Sequence, residues 1–547
     1  MLKRIIKYLT FSILVVLPSS CTDFDEMNTN PTTSPSMDPN NQLTYVQLMT
    51  WGDMETTETM VVYLSAISQI YVGEYNATLY GGQYTRNNET MSKLWKKIYS
   101  VQIKNLVDIL EQTKENPDQV NIYSVARIFK VYLMMILTDT YGDVPYFDAG
   151  MGYYSGILNP TYTPQKDIYY DFFKELEEAG AALNTSGDAV SGDIVYDGNI
   201  EKWKRFANSL WLRAAMRLVK IEPQTAQEQI NKIMANSAGL LQLDDDAFVP
   251  YMDIYDFKTE EFRRNAISQR YRRIDDYPEA FICSTWFNKL LEMNDPRLTR
   301  LAGCYSFENA DFYTAGDPWS RFDALEMFLA DDALKANITA IDPGCFNYEP
   351  WVAKGYWFGD PKNYWDNKVT LPQVNNSLLG GATPGYLMTY AESQWLLTEA
   401  KLRWNLASIP ETVEVLYEKA LRASMKYQSN YPEMKAITED EIDAYMLQNP
   451  FPSATADRLK EVCEQIWVLH YVNGPEAFAS WRRTGYPALK PGKDYPGGKS
   501  IESQTVPRRL FYPLDEASSN GKNYRAAIAA MGLTEDSWNA RVWWDKD

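Results

Sequence analysis

The feature that most constrains this chain is its helical period. Ile122, Val125, Phe129, Tyr132 and Ile136 recur at spacings of three and four, as do Ile168, Phe172, Leu176, Ala179 and Leu183. Each set draws one apolar stripe down a helix face. Trp203, Ala207, Leu210 and Ala214 mark another helix over about 200–220, and Leu387, Ala391, Trp395, Thr398 and Leu402 mark one in the last third. Val413, Leu416, Tyr417, Ala420, Leu421 and Ser424 mark the next, with Ile409-Pro410 as the break between the two. Thr163-Pro164 is expected to open the 163–184 segment, the threonine as cap and the proline at the first helical position. The segments combine into helix pairs, 90–116 with 121–140, 163–184 with 200–220, and 387–402 with 413–424, and a fourth is drawn from 438–447 with 457–471. The expected fold class is therefore all-α, a tetratricopeptide-like scaffold of about four helix pairs.

Between about 239 and 384 this period fails. Asp244-Asp245-Asp246, Pro and Gly breaks and dense aromatics replace it. An irregular insertion of that length in a compact protein is normally functional. Composition points the same way, because 38 Tyr, 21 Phe and 16 Trp make 14% of 547 residues aromatic, more half-polar rings than a core alone accounts for. From Phe346 to Trp365 the rings crowd together among Gly and Pro. Tyr348, Trp351, Tyr356, Trp357, Tyr364 and Trp365, with Asp360 beside them, form a candidate platform for a flat ligand. A second polar-aromatic loop at 75–88 offers Tyr75, Tyr80, Tyr84, Arg86 and Asn87. Rings with amides suit sugars, whose C–H faces are apolar and whose hydroxyls form hydrogen bonds; they suit peptides as well.

The N-terminus reads as a processing signal. Lys3, Arg4 and Lys7 precede an apolar run from Tyr8 to Leu17, and Pro18-Ser19-Ser20 leads to Cys21. That run is too short to span a bilayer. A cysteine at its foot is expected to be acylated, which anchors the mature chain without a transmembrane helix. Residues 1–20 are then a lipoprotein signal peptide, 21–40 a tether and 41–547 one helical domain. The acidic Thr22-Asp23-Phe24-Asp25-Glu26 is a solvated tether or a surface-export signal, and the Pro-broken 28–35 segment reads as linker. Losing residues 1–20 removes three cations from a chain already at −19. Such a charge excludes a nucleic-acid partner, which requires a surplus of Lys and Arg.

Catalytic and metal readings find little support. His470 is the one histidine, set between Leu469 and Tyr471 as a packed helix face would set it. Cys283, Cys304, Cys345 and Cys463 include no C-x-x-C pair, and read as small buried hydrophobes with one bridge, such as Cys304 to Cys345, open. Asp244-Asp245-Asp246 reads as a solvated acidic turn. Asp275, Asp276, Glu279, Asp360 and Asp366 offer carboxylates for glycoside hydrolysis, yet no spacing singles out a pair. No metal, cofactor or catalytic group is expected.

The Cys21 signal, the Asn30-Pro31-Thr32-Thr33-Ser34 linker, and helix Ala126-Arg127-Ile128-Phe129-Lys130 running into Thr140-Tyr141-Gly142-Asp143-Val144-Pro145-Tyr146 resemble the SusD/RagB family of Bacteroidetes outer-membrane lipoproteins. Pro164 to Tyr169, the Glu201–Arg217 helix with Trp203 and Arg213, the Tyr386–Lys401 helix and Asn523-Tyr524 are similar to family positions too. The resemblance implies four tetratricopeptide-like helix pairs, irregular loops forming a shallow site, an outward-facing lipid-anchored protein, and a TonB-dependent SusC-like transporter as partner. It implies nutrient glycan or peptide binding, and no enzyme. The readings of other classes are an outer-membrane glycoside hydrolase and a structural helical-repeat adaptor.

Overall fold

The computed structural model describes residues 37–72, 78–82, 84–254, 261–272, 281–305, 322–323, 372–378, 380–432, 434–494 and 502–547. It is mostly helical, with few short strands. The central element is Val120–Tyr141, of whose 22 residues 18 are buried. It is long and apolar enough to cross a membrane, but it is enclosed by neighbouring helices. One neighbour is a continuous helical stretch of Asn88–Lys97, a π turn at Ile98–Ile103, and Lys104–Thr113. Gln165–Ala182 lies on its other side and packs in turn on Ile200–Arg217, and Tyr390–Trp404 packs on Val413–Lys426. Three of the expected pairs are thus present as drawn, to within a few residues at their ends.

The fourth is assembled differently. Thr455–Leu469 packs chiefly against Tyr390–Trp404 and against Gly474–Thr484, while Glu439–Gln448 is tied to the preceding helix by Arg422, whose guanidinium meets Glu439 and Asp443 at 2.9 and 2.6 Å. Two boundaries also move. Leu387 belongs to strand Gly385–Met388, and its helix starts only at Tyr390, where Thr389 accepts from the Glu392 N–H at 3.1 Å. The first helix, Pro39–Gly52, begins just inside the segment read as tether.

The turn after the central helix shows how sequence sets geometry. Gly142 adopts φ +90°, which a side chain disfavours, and its N–H closes on Thr138 O at 2.8 Å. The chain leaves as strand β2 (Val144–Pro145), paired antiparallel with β3 (Tyr162–Thr163). Thr163 belongs to this ladder and is not the cap: Pro164 holds the N-cap position and can offer no side-chain acceptor. The Asp143 carboxylate caps the next helix instead, accepting from Gln165 N–H at 2.8 Å, one residue beyond the proline expected to open it.

Within 239–384 the described residues form short helices at Ala266–Arg272, Ser284–Glu292 and Leu298–Leu301. Four strands of this region join β1 (Tyr71–Val72) in a five-stranded sheet: β1, β5 (Phe281–Ile282), β8 (Pro372–Val374), β6 (Ala302–Tyr305) and β7 (Phe322–Asp323), in that order. A separate ladder pairs β4 (Ala247–Val249) with β9 (Gly385–Met388). Cys283 and Cys463 are buried, as expected of small hydrophobes. Cys345 lies outside the described residues, as does the side chain of Cys304.

Candidate functional site

The five-stranded sheet joins chain positions that are far apart in sequence. Val72 pairs with Phe281, Phe281 with Gln373, Gln373 with Gly303, and Cys304 with Asp323. Neighbouring strands lie about 4.8 Å apart, so the points where the 73–77 and 324–371 segments join the scaffold are held on one platform. Tyr75, Tyr348, Trp351, Tyr356, Trp357, Asp360, Tyr364 and Trp365 lie outside the described residues, as do Asp275, Asp276, Glu279 and Asp366.

The described part of the first loop is a built wall. A π turn at Met60–Ser65 carries Tyr63, whose hydroxyl donates to Thr85 O at 3.0 Å and accepts from Asn87 N–H at 2.7 Å. Asn87 caps the Asn88–Lys97 helix, its Oδ1 accepting from Thr90 N–H at 3.0 Å. The Arg86 guanidinium lies 3.8 Å over the Phe511 ring, its Nε donates to Asn88 and its backbone N–H to Glu502. Tyr84, at φ +50°, turns inward; its fully buried ring sends its hydroxyl to Lys490 O at 3.1 Å and accepts from Gln69 Nε2 at 3.3 Å. Tyr84, Arg86 and Asn87 thus hold the loop. Tyr80, stacked on Tyr63 with centroids 6.1 Å apart, keeps part of its ring at the surface.

Sequence reasoning missed a second concavity. A cleft of about 540 Å³ opens beside β4, lined by Asp246, Phe248, Tyr390, Lys426, Tyr427 and Asn430 among others. Asp246 Oδ1 accepts from the Tyr390 N–H at 2.7 Å, filling one of the donor sites that every helix N-terminus leaves open. Burial, reinforced by Asp245 and Asp244, pushes its carboxyl up to about 7. The triad is not a solvated turn, because only Asp244 is exposed. Asp245 is buried against Arg205 at 2.6 Å and Lys202 at 3.4 Å; burial raises its carboxyl, and Arg205 with its other partners more than offsets that. The rings of Phe248, Tyr390 and Tyr427 together with carboxylate and amide groups give this cleft the composition of a polyol or peptide site.

Beneath it lies a buried charge network. Arg213 grips Glu392 with two bonds of 2.6 and 2.7 Å, and Arg217 reaches Glu476 at 2.5 Å and Asp139 at 3.0 Å. Burial raises Glu476, but Arg213 and Arg217 prevail and hold its carboxyl at about 2. Ligand atoms of Glu392, His470 and Glu476 lie within 4.8 Å of one another. Both carboxylates already face guanidinium groups, so a metal cation there would meet like charge. His470 is buried and its imidazole is pushed toward the neutral form, first by burial. The signal for this network was legible: Arg213 and Arg217, four apart, border the Trp203–Ala214 stripe and so share its buried side.

A family model described as "Starch-binding associating with outer membrane" matches residues 31–513. No curated relative matches the chain. Among solved structures, a SusD-like protein of Bacteroidetes is 30% identical with a TM-score of 0.81, covering 93% of this chain and 100% of its own. A chitin-binding protein is also 30% identical, with a TM-score of 0.75 and the same coverage. A SusD homolog from Bacteroides uniformis, 21% identical with a TM-score of 0.70 over 93% of this chain and 100% of its own, shares the fold. The likeness runs through helix pairs, turn and sheets alike, and the chain belongs to the SusD-like family.

Proposed function

We propose that this protein is a cell-surface lipoprotein that captures oligosaccharide and delivers it unaltered to a TonB-dependent SusC-like transporter. The observation that carries this reading is its 30% identity to a chitin-binding protein over that protein's full length. The ligand-contacting groups are Tyr80 and the aromatic segment 346–365, the two features whose attachment points share the five-stranded sheet. Acylated Cys21 holds the chain on the outer membrane, facing outward. Two or three stacked rings contribute about 0.5–1.5 kcal/mol each beyond their area, whereas a micromolar complex needs about 8 kcal/mol. With ordering costs subtracted, affinity falls in the high-micromolar range, which suits a protein that must release its cargo.

Calorimetry of the mature chain carrying Cys21→Ser, with chito- and malto-oligosaccharides and a mixed peptide pool, tests this. Saccharide binding in the high-micromolar range, no product by chromatography, and a drop of about ten-fold in Trp351→Ala/Trp357→Ala are expected. Binding of peptide alone would reassign the cargo to a RagB-like class. Product formation would make the protein a hydrolase, and silence toward both ligands an adaptor; either overturns the proposal.

A further inference from the structure

The stretch between β2 and β3 carries a concentration of exposed apolar side chains. Of the eleven exposed large hydrophobic side chains among the described residues, four fall within twelve residues: Phe147, Tyr153, Tyr154 and Leu158, with Tyr153 89% and Leu158 82% exposed. Such clustering marks an interaction site, whereas scattered apolar residues do not. The platform beneath is rigid. Its ends are tied where Asp148 Oδ2 accepts from Thr161 N–H at 3.1 Å and from the Thr161 hydroxyl at 2.5 Å. Gly150, at φ +75°, lies so close to Val107 that a Cβ would sit 2.9 Å from its Cγ2. Asn159 and Pro160 are bonded to Ser519, Asn520 and Asn523. A compact loop closed in this way holds its apolar tip outward.

Its position says what covers it. The Asp108 carboxylate accepts from Tyr154 on one oxygen and from Gln42 Nε2 on the other, at 2.5 Å. Gln42 lies in the first turn of the Pro39–Gly52 helix, so the loop flanks the point where the chain leaves the described structure. Fifteen residues lie between Cys21 and Met37. They span at most about 55 Å when fully extended and about 22 Å as a flexible coil. Tyr, Phe and Leu are side chains that settle at the boundary between headgroups and acyl chains. A chain of net charge −19 gains nothing from phosphate attraction, so the contact is apolar.

Resting on the reading of Cys21 as an acylated cysteine, we infer that the 147–158 loop inserts Phe147, Tyr153 and Leu158 into the lipid surface that holds the anchor. The acyl group tethers the protein, and the loop sets which face it turns to the membrane. One lipid chain binds only marginally, and a second signal makes association stable.

Flotation of the mature Cys21→Ser chain with palmitoyl-oleoyl phosphatidylcholine vesicles tests the loop without the acyl group. The unsubstituted chain is expected to float. The Phe147→Ser/Tyr153→Ser/Leu158→Ser variant should lose about ten-fold in partitioning, and Leu447→Ser, which removes a side chain 86% exposed on Glu439–Gln448, should lose none. Raising salt about five-fold should leave binding unchanged. Leu158→Glu alone gives a second measure should the triple variant fold poorly. Equal flotation of all variants, or flotation of none, overturns the inference. So does a loss of self-association in the triple variant during sedimentation, which would assign the loop to a second copy. The mass of the natural mature N-terminus reads acylation separately, so failure of the anchor reading is distinguishable from failure of the loop.

Discussion

At the residue scale, Asp246 shows how a polar side chain is used for architecture and left with a consequence. Its carboxyl is the acceptor at the start of the Tyr390–Trp404 helix and sits in the same cleft as the rings of Phe248, Tyr390 and Tyr427. Its value of about 7 lies well above an ordinary aspartate, so the folded state holds the proton more tightly than the unfolded chain. The associated stability is fully present below about pH 4 and is lost as pH rises through 7. Asp246→Asn keeps the accepting oxygen and removes the ionisation. Denaturation of this variant is expected to show a gain of about 1–2 kcal/mol near pH 8 and none near pH 4, the partly solvated carboxyl holding the effect below the full shift. No part of this was visible in three consecutive aspartates. Their fates diverge because Arg205 reaches one, a helix N-terminus another and the third is exposed, and both protein partners are distant in sequence.

At the element scale, legibility followed burial geometry. Helices with one apolar face, such as Gln165–Ala182, announce themselves by period. The Gly474–Thr484 helix is buried at every one of its eleven positions, Glu476, Arg482 and Arg483 included, so charged side chains that composition reads as a solvated face lie inside. An interior helix of that composition is not legible as the partner of Thr455–Leu469, on which it packs. Leu387 was misplaced for a different reason, since its spacing of four to Ala391 continues a helical rhythm across a strand and a cap. In the 80–88 loop the residue types were informative and their orientation was not: Tyr84 turns inward through a positive φ that composition does not reveal. The Tyr141–Pro145 turn is structural, Gly142 ending the central helix at φ +90° with its N–H on Thr138 O. Gly142→Ala is expected to cost about 1–3 kcal/mol in urea denaturation. The nearest side-chain atom to an added Cβ is Met531 Sδ at 3.4 Å, so the loss would arise from the backbone and not from a clash.

At the scale of the whole molecule, the buried ions act as a fastener between helix pairs. Arg213 sits on Ile200–Arg217, Glu392 on Tyr390–Trp404 and Glu476 on Gly474–Thr484. Arg213→Met strands the Glu392 carboxylate in the interior, Glu476 keeping Arg217, and is expected to cost about 3–5 kcal/mol. Adding Glu392→Leu should restore part of that loss, read by the midpoint of chemical denaturation. A pair of helices packed only by apolar contact would show no such rescue. The five-stranded sheet has a consequence of a different kind. Its short strands bring residues 72, 281, 303, 322 and 373 side by side, so the stretches between them begin and end at fixed anchor points, and lengthening a loop between fixed ends costs only logarithmically. Lineages can therefore exchange what hangs from those strands while the helical stack stays as it is, which separates the evolution of cargo preference from the evolution of foldability.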